Sequence, residues 1–454
     1  MSHADVRDPA EMVFHALSRD DIHTADDIRE EVAALIRDGR LPEGARLPTI
    51  RDLAHGSHLS SRAIVGAWAE LRRAGLIDTN RRGGTVVAGS ADGTSRDRGW
   101  ADRDLLTGSP DYALQPDLAP AILAGLRTDE LNRPRRDYIT DRLREVVARD
   151  WPFAAESYVA AGGGSEGLLL AVEAAASPGD LVAVEQPIIP GFLDTLEAVG
   201  YRVVGIESDD HGACPESLAA ALAQGPTVVV LQPEGAYATS GVLDEERADA
   251  LADVVENAQH TPWIVEDDAV GPLAGRQAPS LGDRLPHRTV RVRSYCKAYG
   301  MDIKTCVIGG AAAVVDQAIR LRVHGIAANS RILQNALAHL VADPSAAEVV
   351  ASAREHYSRR RTALVSALTD RGITSWSGPN SLVVWAEVRD ETGAMLELAR
   401  RGVNVGSGAR SFVGDGAGLL RIAVPQLPDD DAAIDDLADQ VAEAASAVHR
   451  EFLD

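Results

Sequence analysis

From residue 165 onward, short apolar runs alternate with segments long enough to form helices. The apolar runs are rich in valine, isoleucine and leucine, and they lie at residues 181–184, 227–231, 263–265, 290–292 and 307–315. The helix-length segments between them include residues 165–176 and 245–258. Because parallel strands need long crossover connections, which are usually helices, this alternation predicts an α/β fold with a mostly parallel sheet.

The end of the chain follows a different pattern. A long helical segment at residues 345–369 precedes strand-like runs near 381–388 and at 419–423, and a closing helix starts at Asp430. This order predicts a small C-terminal α+β subdomain attached to the large sheet. We expect residues 105–454 to form one domain that contains both parts.

The composition is that of a folded protein with room for several domains, since 45% of the 454 residues are hydrophobic and 25% are charged. No apolar run approaches the roughly 20 residues of a membrane span, and the first residues lack the apolar core of a signal peptide. The cysteines, Cys214, Cys296 and Cys306, have no metal-ligand spacing. We therefore expect a cytoplasmic protein without a metal site or a membrane anchor.

Positive charge is distributed unevenly along the chain. The formal net charge is −23 at pH 7, yet residues 40–82 contain eight arginines and only four acids. A small cationic domain on an anionic body can bind DNA phosphates with one face. Residues 88–104, which follow it, are rich in Gly, Ser, Asp and Arg without periodicity, and this composition predicts a flexible linker.

Residues 23–87 have the pattern of three helices followed by a β-hairpin. The third helix starts after Ser60, and its predicted apolar face comprises Ile64, Val65, Trp68 and Leu71. The segments LPEGARLPTIRDLA, LSSRAIVGAWAELRRAGLI and RRGGTVV resemble the winged helix-turn-helix of GntR-type bacterial regulators. Residues 1–22 are expected to be an extension outside this domain.

The resemblance assigns the third helix to the major groove of DNA. The side chains at the start of a recognition helix reach base edges, and its N–H groups face phosphate. Arg62 is the candidate for a bidentate contact to guanine. The other DNA-binding candidates are Ser60 and Ser61 on the same helix, Arg51 on the second helix, and Arg81, Arg82 and Gly83 in the wing.

Lysine is almost absent from the sequence. Lys297 and Lys304 are the only lysines, and the other 43 of the 45 Lys+Arg residues are arginine. A guanidinium forms no Schiff base with an aldehyde, whereas a desolvated amine does. Lys297 follows a strand-like run in the stretch RSYCKAYG. Its S-x-x-K pattern resembles the lysine motif of fold-type I pyridoxal phosphate enzymes.

Other motifs extend this resemblance over residues 105–454. A glycine-rich turn, AAGGGSEG, leads into a helix, and a helix N-terminus is a natural phosphate site. After it come VAVEQPIIPG, VVVLQPEGAYATSG, WIVEDDAVGPL, the lysine stretch and GLLRIAVPQL. In this order they resemble the aminotransferase-like body of fold-type I enzymes. The whole chain therefore resembles a MocR-type transcriptional regulator, in which a winged helix precedes such a body.

The resemblance implies pyridoxal phosphate and a set of residues around it. Lys297 would be the Schiff-base lysine, and Asp267, which follows an apolar strand at the carboxyl edge of the sheet, would pair with the ring nitrogen. Arg421 would receive a ligand carboxylate through its planar fork. The remaining cofactor residues are Gly163, Gly164, Ser165 and Ser294 around the phosphate, Lys304 in place of the family's arginine, and Tyr237.

Several positions depart from the family pattern. Ile188 and Ile189 stand where the family has a tyrosine near the cofactor, Ala236 replaces the partner of the ring hydroxyl, and Ala269 replaces a second tyrosine. Each lost hydrogen bond is worth about 0.5–1.5 kcal/mol. Two interpretations of the body therefore remain open. One is a sensor that carries pyridoxal phosphate on Lys297, and the other is a degenerate, cofactor-free pocket that senses a less polar ligand.

A third interpretation is an active aminotransferase joined to a DNA-binding domain. The missing partners of the ring hydroxyl disfavour it, because such groups tune the electronics of the cofactor. We therefore expect a regulator rather than an enzyme, with no catalytic residues. The resemblance further implies a head-to-tail, domain-swapped homodimer, a double-stranded DNA operator with paired half-sites, and a small-molecule effector.

Overall fold

In the computed structural model the chain divides into two compact units, Met1–Gly99 and Trp100–Asp454. The predicted linker falls mainly outside the described residues, but residues 103 and 104 belong to the strand Arg103–Leu105 instead. The structure describes residues 9–18, 22, 24–37, 40–41, 45–49, 52–54, 57, 59–73, 76–80, 84–87, 103–134, 136–323, 328–414, 416 and 418–447.

The first unit contains helices and a small antiparallel sheet. Its strand Gly84–Val87 lies between the other two strands, with Thr85 opposite Thr79 on one side and Leu47 on the other. The described helices are Pro9–Leu17, Ala25–Arg37 and Ser61–Arg73, and the strands are Arg46–Leu47, Ile77–Asn80 and Gly84–Val87.

The N-terminal helix belongs to the core of this unit. The sequence places residues 1–22 outside the winged helix, but Val13 and Leu17 are completely buried in one cluster with Ile28 and Trp68. Val13 and Leu17 are four residues apart and therefore lie on one helix face. The described helix of the expected extension therefore packs against the helices that follow it.

A seven-stranded sheet forms the centre of the second unit. Its strands are parallel except Cys306–Gly310, which pairs antiparallel with both of its neighbours. Strand Val228–Leu231 is buried along its whole length. Uninterrupted apolar runs of this kind are typical of strands covered on both faces. In spatial order the strands are Ser157–Ala161, Cys306–Gly310, Thr289–Ser294, Trp263–Asp268, Val228–Leu231, Leu181–Glu185 and Arg202–Ile206.

The apolar run at residues 307–315 is not one strand. The strand ends at Gly310, whose φ of +147° strains any other residue, and the helix Ala312–Arg322 follows. The Glu156 carboxylate accepts a hydrogen bond from Ala312 N, which fixes the start of that helix. The prediction failed here because short apolar runs do not distinguish a buried helix from a strand.

Helices cover the large sheet and connect it to the C-terminal part. No described helix is long and apolar enough to cross a membrane. The described helices of the second unit are Leu118–Leu126, Asp141–Ala148, Gly164–Ala175, Phe192–Val199, Pro215–Leu222, Glu245–Glu256, Cys296–Tyr299, Ala312–Arg322, Arg331–Ala342, Pro344–Asp370, Glu391–Arg400 and Asp431–Ala445. Single 3₁₀ turns lie at Tyr112–Leu114, Gly271–Leu273, Leu281–Asp283, Met301–Ile303 and Ala409–Ser411.

The C-terminal subdomain contains a five-stranded sheet. In spatial order its strands are Ser375–Trp376, Val383–Glu387, Leu419–Ala423, Val403–Ser407 and Arg103–Leu105. The last of these comes from the beginning of the unit and pairs parallel with Val403–Ser407. The first described residues of the second unit are thus built into its C-terminal sheet. A separate two-stranded ladder joins Ser208–Asp209 to Gly212–Ala213.

A buried ionic cluster lies among the parallel strands of the large sheet. The Arg291 guanidinium, which has no exposed surface, contacts Glu234 at 3.0 Å, Glu266 at 3.3 Å and Asp268 at 3.1 Å. Arg293 adds a contact to Asp268 at 2.7 Å. Burial alone would raise the pKa of Asp268, but Arg291 and Arg293 hold it below its usual range. The cluster therefore fixes the ends of neighbouring strands against one another.

We expect Arg291→Met to destabilise the second unit by about 3–5 kcal/mol at pH 8, because Glu234 and Glu266 lose their cation and Asp268 keeps only Arg293. Chemical unfolding followed by intrinsic fluorescence measures this loss. The loss should be smaller at pH 6, since burial raises the pKa of Glu234 to about 7 and its carboxyl can then be neutral. Arg400→Ala, which removes an exposed arginine, is the control. If Arg291→Met were as stable as the control protein, Arg291 would not hold the buried cluster together.

Candidate functional site

The carboxyl edge of the large sheet brings the predicted cofactor residues together. Asp267 lies at the end of its strand, opposite Val292 of the parallel neighbour. That neighbour ends at Ser294, and the one-turn helix Cys296–Tyr299 then carries Lys297. Because parallel strands all end at the same edge, residues from two strands and the turn after them converge there.

The helix Gly164–Ala175 begins at the same edge. Its N-cap, Gly163, has φ +123° and forms no side-chain capping bond. A Cβ on Gly164 would lie 3.0 Å from the Ser294 Cβ, so glycine permits this close approach. The first N–H groups of the helix are therefore available to an anion, which the helix dipole would also favour.

A cavity of about 370 Å³ lies between these elements. All eight residues predicted to bind the cofactor are in its wall, although they come from five separate stretches of the chain. The wall residues are Gly162, Gly163, Gly164, Ser165, Glu166, Leu168, Ile189, Tyr237, Asp267, Ala269, Ser294, Cys296, Lys297, Met301 and Lys304.

Burial changes the ionisation of two groups in the wall. It lowers the pKa of the Lys297 amine to about 8, and the positive charge of Arg421 acts in the same direction. It raises the pKa of the Asp267 carboxyl to about 7, together with the negative charges of Asp268 and Glu185. The amine is thus nucleophilic at a lower pH than an ordinary lysine, and the carboxyl is poised to accept a positive partner.

Several polar side chains in the wall have no protein partner. Within the described part of the chain, Asp267, Ser294 and Lys304 form no side-chain hydrogen bond or ion pair. The Tyr237 hydroxyl also forms none among these residues, and burial raises its pKa to about 12. Buried polar groups are nearly always paired in folded proteins. Lys304 is exposed, but Asp267, Ser294 and Tyr237 are buried, and unpaired buried groups of this kind are typical of a site for a polar ligand.

Arg421 lies beside the cavity and is absent from its wall. Its Nη1 donates a hydrogen bond to the Leu106 carbonyl at 3.0 Å, while its buried Nε has no partner. Burial lowers the pKa of its guanidinium. No carboxylate of the described residues pairs with it. A planar guanidinium is the group that binds carboxylates with two parallel hydrogen bonds.

The four apolar replacements divide into two pairs. Ile189 and Ala269 are in the cavity wall, where the sequence places them. Ile188 and Ala236 are buried outside it, contrary to the expectation. Ile188 N donates to the Ser411 carbonyl, and its side chain packs into the core of the large sheet. Ala236 has too short a side chain to reach a ligand.

The structure adds residues that the sequence analysis missed. Cys296 and Met301 are in the cavity wall, and both lie within four residues of Lys297 in the sequence, which could have indicated them. The Gly108 carbonyl accepts a hydrogen bond from Lys297 Nζ. A backbone carbonyl has no side-chain signature, so no sequence signal could have revealed this contact.

The predicted recognition helix spans Ser61–Arg73. Ser60 caps it, because the Ser60 Oγ accepts a hydrogen bond from Ala63 N at 3.2 Å. Ser61 and Arg62 lie in its first turn, but their side chains are outside the described part of the structure. Arg51, Arg81, Arg82 and Gly83 also fall outside the described residues.

Val65 does not belong to the buried face of this helix. Ile64, Trp68 and Leu71 are buried as expected, whereas Val65 is 50% exposed. Successive residues in a helix are rotated by roughly 100°, so the side chain beside Ile64 points away from the core.

The fold and the site define a fold-type I aminotransferase-like unit that follows a winged helix-turn-helix. Comparison with family models agrees, since residues 108–439 match aminotransferase class I and II. Residues 24–87 match the gntR family of bacterial regulatory proteins. The chain belongs to the class I and II aminotransferase family, and its two domains together make it a MocR-type transcriptional regulator.

Two relatives align with this chain over most of their own length. The vitamin B6 salvage pathway transcriptional repressor PtsJ of Salmonella typhimurium is 28% identical over 435 residues, which cover 93% of this chain and 98% of that protein. The HTH-type transcriptional regulator TauR of Rhodobacter capsulatus is 26% identical over 393 residues, which cover 76% and 80%. Both are regulators by name.

Solved structures of aminotransferases share the fold of the second unit. Aspartate aminotransferase from Thermus thermophilus with maleate superposes with a TM-score of 0.65 and 22% identity, over 77% of this chain and 93% of that one. Kynurenine aminotransferase from Pyrococcus horikoshii gives a TM-score of 0.67 and 18% identity, over 76% and 91%. At these identities the likeness concerns the fold alone.

The buried Asp267 carboxyl leads to a testable consequence for stability. Its pKa of about 7 in the folded protein lies above the ordinary value of 3.8, so its contribution to stability falls as the pH rises from about 4 to 7. We expect Asp267→Asn to stabilise the protein without added ligand at pH 8, on the order of 2–4 kcal/mol. The advantage should disappear at pH 4.

Thermal unfolding at pH 4, 6 and 8 measures this difference. Asp316→Asn, which changes an exposed acid on the helix Ala312–Arg322, is the matched control and should behave like the parent protein. The expectation would be wrong if Asp267→Asn unfolded at a lower temperature than the parent protein at pH 8. It would also be wrong if the unfolding temperatures of the variant and the parent depended on pH in the same way.

Proposed function

We propose that this regulator senses a small molecule through pyridoxal phosphate bound at Lys297. The observation that carries the proposal is the pairing of Lys297 with Asp267 across one cavity. Both lysines of the chain line this cavity, of which Lys297 is the buried one, and so does a buried carboxyl without a partner among the described residues. The proposal places the protein in the cytoplasm, where its DNA is accessible.

The residues of the cavity fit this cofactor at three of its groups. The helix start at Gly163 and Gly164, with Ser165, Ser294 and Lys304, would hold the phosphate. Asp267 would pair with the ring nitrogen, and Lys297 would bind the aldehyde. The ring hydroxyl would lack the family's partners, and Tyr237 is the phenol that lines the cavity nearby. Bound pyridoxal phosphate supplies an aldehyde that exchanges between primary amines.

The side chains of the chain have distinct roles in this proposal. Lys297 presents an amine whose lowered pKa, about 8, leaves a useful neutral fraction near neutral pH. Asp267 would supply negative charge from a buried position, where charge acts more strongly than in water. Arg421, which lies beside the cavity, would receive a carboxylate on the effector through its guanidinium. These groups select an amine that also carries an acid, such as an amino acid.

A sensing role suits this site better than sustained turnover. The partners that tune the ring hydroxyl in the family are replaced by Ala236 and Ala269. Without them the cofactor would bind less tightly and would be a weaker electron sink. The second candidate is a cofactor-free pocket for a less polar ligand, and the apolar side chains of Ile189, Ala269 and Met301 in the wall favour it.

The DNA-binding part of the proposal rests on the winged helix. Ser60, Ser61 and Arg62 would face the major groove, and Arg51, Arg81, Arg82 and Gly83 would contact the DNA backbone or the minor groove. We propose a homodimer of the aminotransferase-like units in a head-to-tail, domain-swapped arrangement. Such a dimer carries two winged helices and binds an operator with paired half-sites.

We expect pyridoxal phosphate to produce a visible absorption band with the purified protein and, after borohydride reduction, a label on Lys297. The label should form half-maximally near pH 8, since the burial of Lys297 lowers the pKa of its amine to about that value. Peptide mapping distinguishes Lys297 from Lys304. Absence of a band at millimolar cofactor would favour the cofactor-free pocket.

Two lysine variants make this experiment specific. Lys297→Arg keeps the charge but cannot form the covalent bond, so its band should be lost. Lys304→Arg keeps Lys297 and introduces a planar fork, which binds phosphate with two parallel hydrogen bonds. We expect tighter cofactor binding in Lys304→Arg, with the label still on Lys297. A label distributed over both lysines in the parent protein would contradict a specific site.

On a DNA site selected from random sequences, Arg62→Ala should lose the preference over scrambled DNA, because Arg62 is assigned to a base edge. Arg82→Ala should weaken binding to both DNAs about equally and lower the salt slope by about 1, since it is assigned to a phosphate. Fluorescence anisotropy at several salt concentrations measures both. Equal losses of Arg62→Ala on the two DNAs would refute its assignment.

A further inference from the structure

A second cavity, of about 460 Å³, lies beside the one that Lys297 lines. The one-turn helix Cys296–Tyr299 contributes different side chains to the two walls, since Cys296 and Lys297 line the first cavity and Tyr299 lines the second. No residue belongs to both walls. The second cavity is therefore a separate site, and none of the residues predicted to bind the cofactor lines it.

The buried ionic cluster borders this second cavity through Glu234 and Arg293. With every group ionised, the cluster contains the carboxylates of Glu234, Glu266 and Asp268 and the guanidiniums of Arg291 and Arg293. One negative charge therefore has no counter-charge within the cluster. Arg149 and Asp150 in the cavity wall are exposed and of opposite sign, so they leave this excess unchanged. An unbalanced buried charge is costly, and a cation from outside would remove that cost.

Glu234 is the acid of the cluster that lines this cavity, and one of its two oxygens is weakly engaged. Its Oε1 accepts hydrogen bonds from Ala278 N at 2.7 Å and from Arg291 at 3.0 Å. Among the described residues, its Oε2 has one long contact, to Asn380 Nδ2 at 3.4 Å. A carboxylate offers about four acceptor sites. Glu234 Oε2 can therefore accept a hydrogen bond from a ligand.

The buried cation in the same wall, Arg293, is already paired. Its Nε donates to the Asp268 carboxylate at 2.7 Å, and its Nη1 donates to the Asp150 carbonyl at 2.9 Å. Its Nη2 donates to the side-chain oxygen of Gln277. The guanidinium also lies over the Trp151 ring, 5.2 Å from the ring centroid. All three nitrogens of Arg293 are thus engaged, which leaves no free edge of the guanidinium for an anion.

The rest of the wall combines an unpaired hydroxyl with apolar and aromatic surface. Tyr299 is only 4% exposed, and its hydroxyl forms no hydrogen bond with any described residue. Buried polar groups are nearly always paired, so this hydroxyl indicates a ligand. The rings of Tyr295 and Tyr299 are nearly parallel, at 14°, with centroids 6.4 Å apart. Val147, Pro272 and Val341 add apolar surface to the wall.

We propose that this second cavity binds a small organic cation with a flat apolar body, such as an aromatic amidine or amine. The charged end donates to Glu234 Oε2 and to the Tyr299 hydroxyl, and it supplies the counter-charge that the buried cluster lacks. The flat body packs against the tyrosine rings and the apolar part of the wall, where stacking and cation–π attraction both favour it. The proposal does not depend on pyridoxal phosphate, because the first cavity takes no part in it.

Three probes of nearly the same shape test the sign of the charge that the cavity prefers. Benzamidine is a cation, benzamide is neutral and benzoate is an anion. Isothermal titration calorimetry of the full-length protein at pH 8 measures their affinities, since the pKa of Glu234 is about 7 and its carboxyl is then mostly ionised. Benzamidine should bind about tenfold more tightly than benzamide or better, as expected for a hydrogen bond to a charged group. Benzoate should bind most weakly of the three.

Variants of the wall locate the bound probe. Glu234→Gln removes the charge but keeps an oxygen for Ala278 N and Arg291, and it should weaken benzamidine binding about tenfold or more. Tyr299→Phe should weaken it about threefold, since one neutral hydrogen bond is lost. Asp267→Asn is the matched control, because it neutralises the unpaired carboxyl of the first cavity, where a cation could also bind. It should leave the affinity for benzamidine unchanged.

One further variant decides the question if Glu234→Gln does not fold. Ala342→Trp places a bulky ring in the cavity wall from an exposed position at the end of the helix Arg331–Ala342, and it should abolish benzamidine binding. Unchanged benzamidine affinity in Ala342→Trp would overturn the inference. So would tighter binding of benzoate than of benzamidine, no binding of benzamidine at millimolar concentration, or a loss of binding in Asp267→Asn.

Discussion

The fully buried Arg291 guanidinium is the interaction on which the rest of the site depends. From its own strand it joins Glu266 and Asp268 of the neighbouring strand to Glu234, which lies in the loop after a third strand. Desolvation of so many charges is tolerated only because each has a partner in good geometry. The neighbouring Asp267 is left out of this cluster and is directed to the cavity, where its burial and the surrounding negative charge raise its pKa. The structural cluster thus creates the electrostatic character of the site beside it.

Most of the large sheet follows from the sequence because its signals are local. Uninterrupted valine and isoleucine runs indicate strands buried on both faces, and the helix-length segments between them require parallel pairing. The strand Arg103–Leu105 gives no such signal, since three residues show no period and its partner is Val403–Ser407, about 300 residues later. The helix Ala312–Arg322 was misjudged because its apolar start continues that of the preceding strand. Long-range pairing and short runs are therefore where the sequence is least informative.

The site could be predicted wherever a side chain carries the chemistry. Asp267 and Ser294 have polar side chains near strand ends, Lys297 follows in the next turn, and all three line one cavity. The attachment of Lys297 to the Gly108 carbonyl could not be predicted, because every residue offers the same carbonyl. It was also harder to predict which apolar side chains of a helix are buried than to predict the helix itself. Val65 is exposed on its helix although it is apolar, since its neighbour Ile64 takes the position that faces the core.

The unpaired Asp267 carboxyl has a consequence for the amount of protein in the cell. Without a positive partner it lowers the folding stability of the second unit at neutral pH. Any ligand that binds the folded state alone and supplies that partner raises the stability by mass action. Proteases remove partly unfolded chains continuously, so a difference of one or two kcal/mol changes abundance several-fold. The supply of ligand would then set how many copies of the regulator persist, in addition to the conformation of each copy.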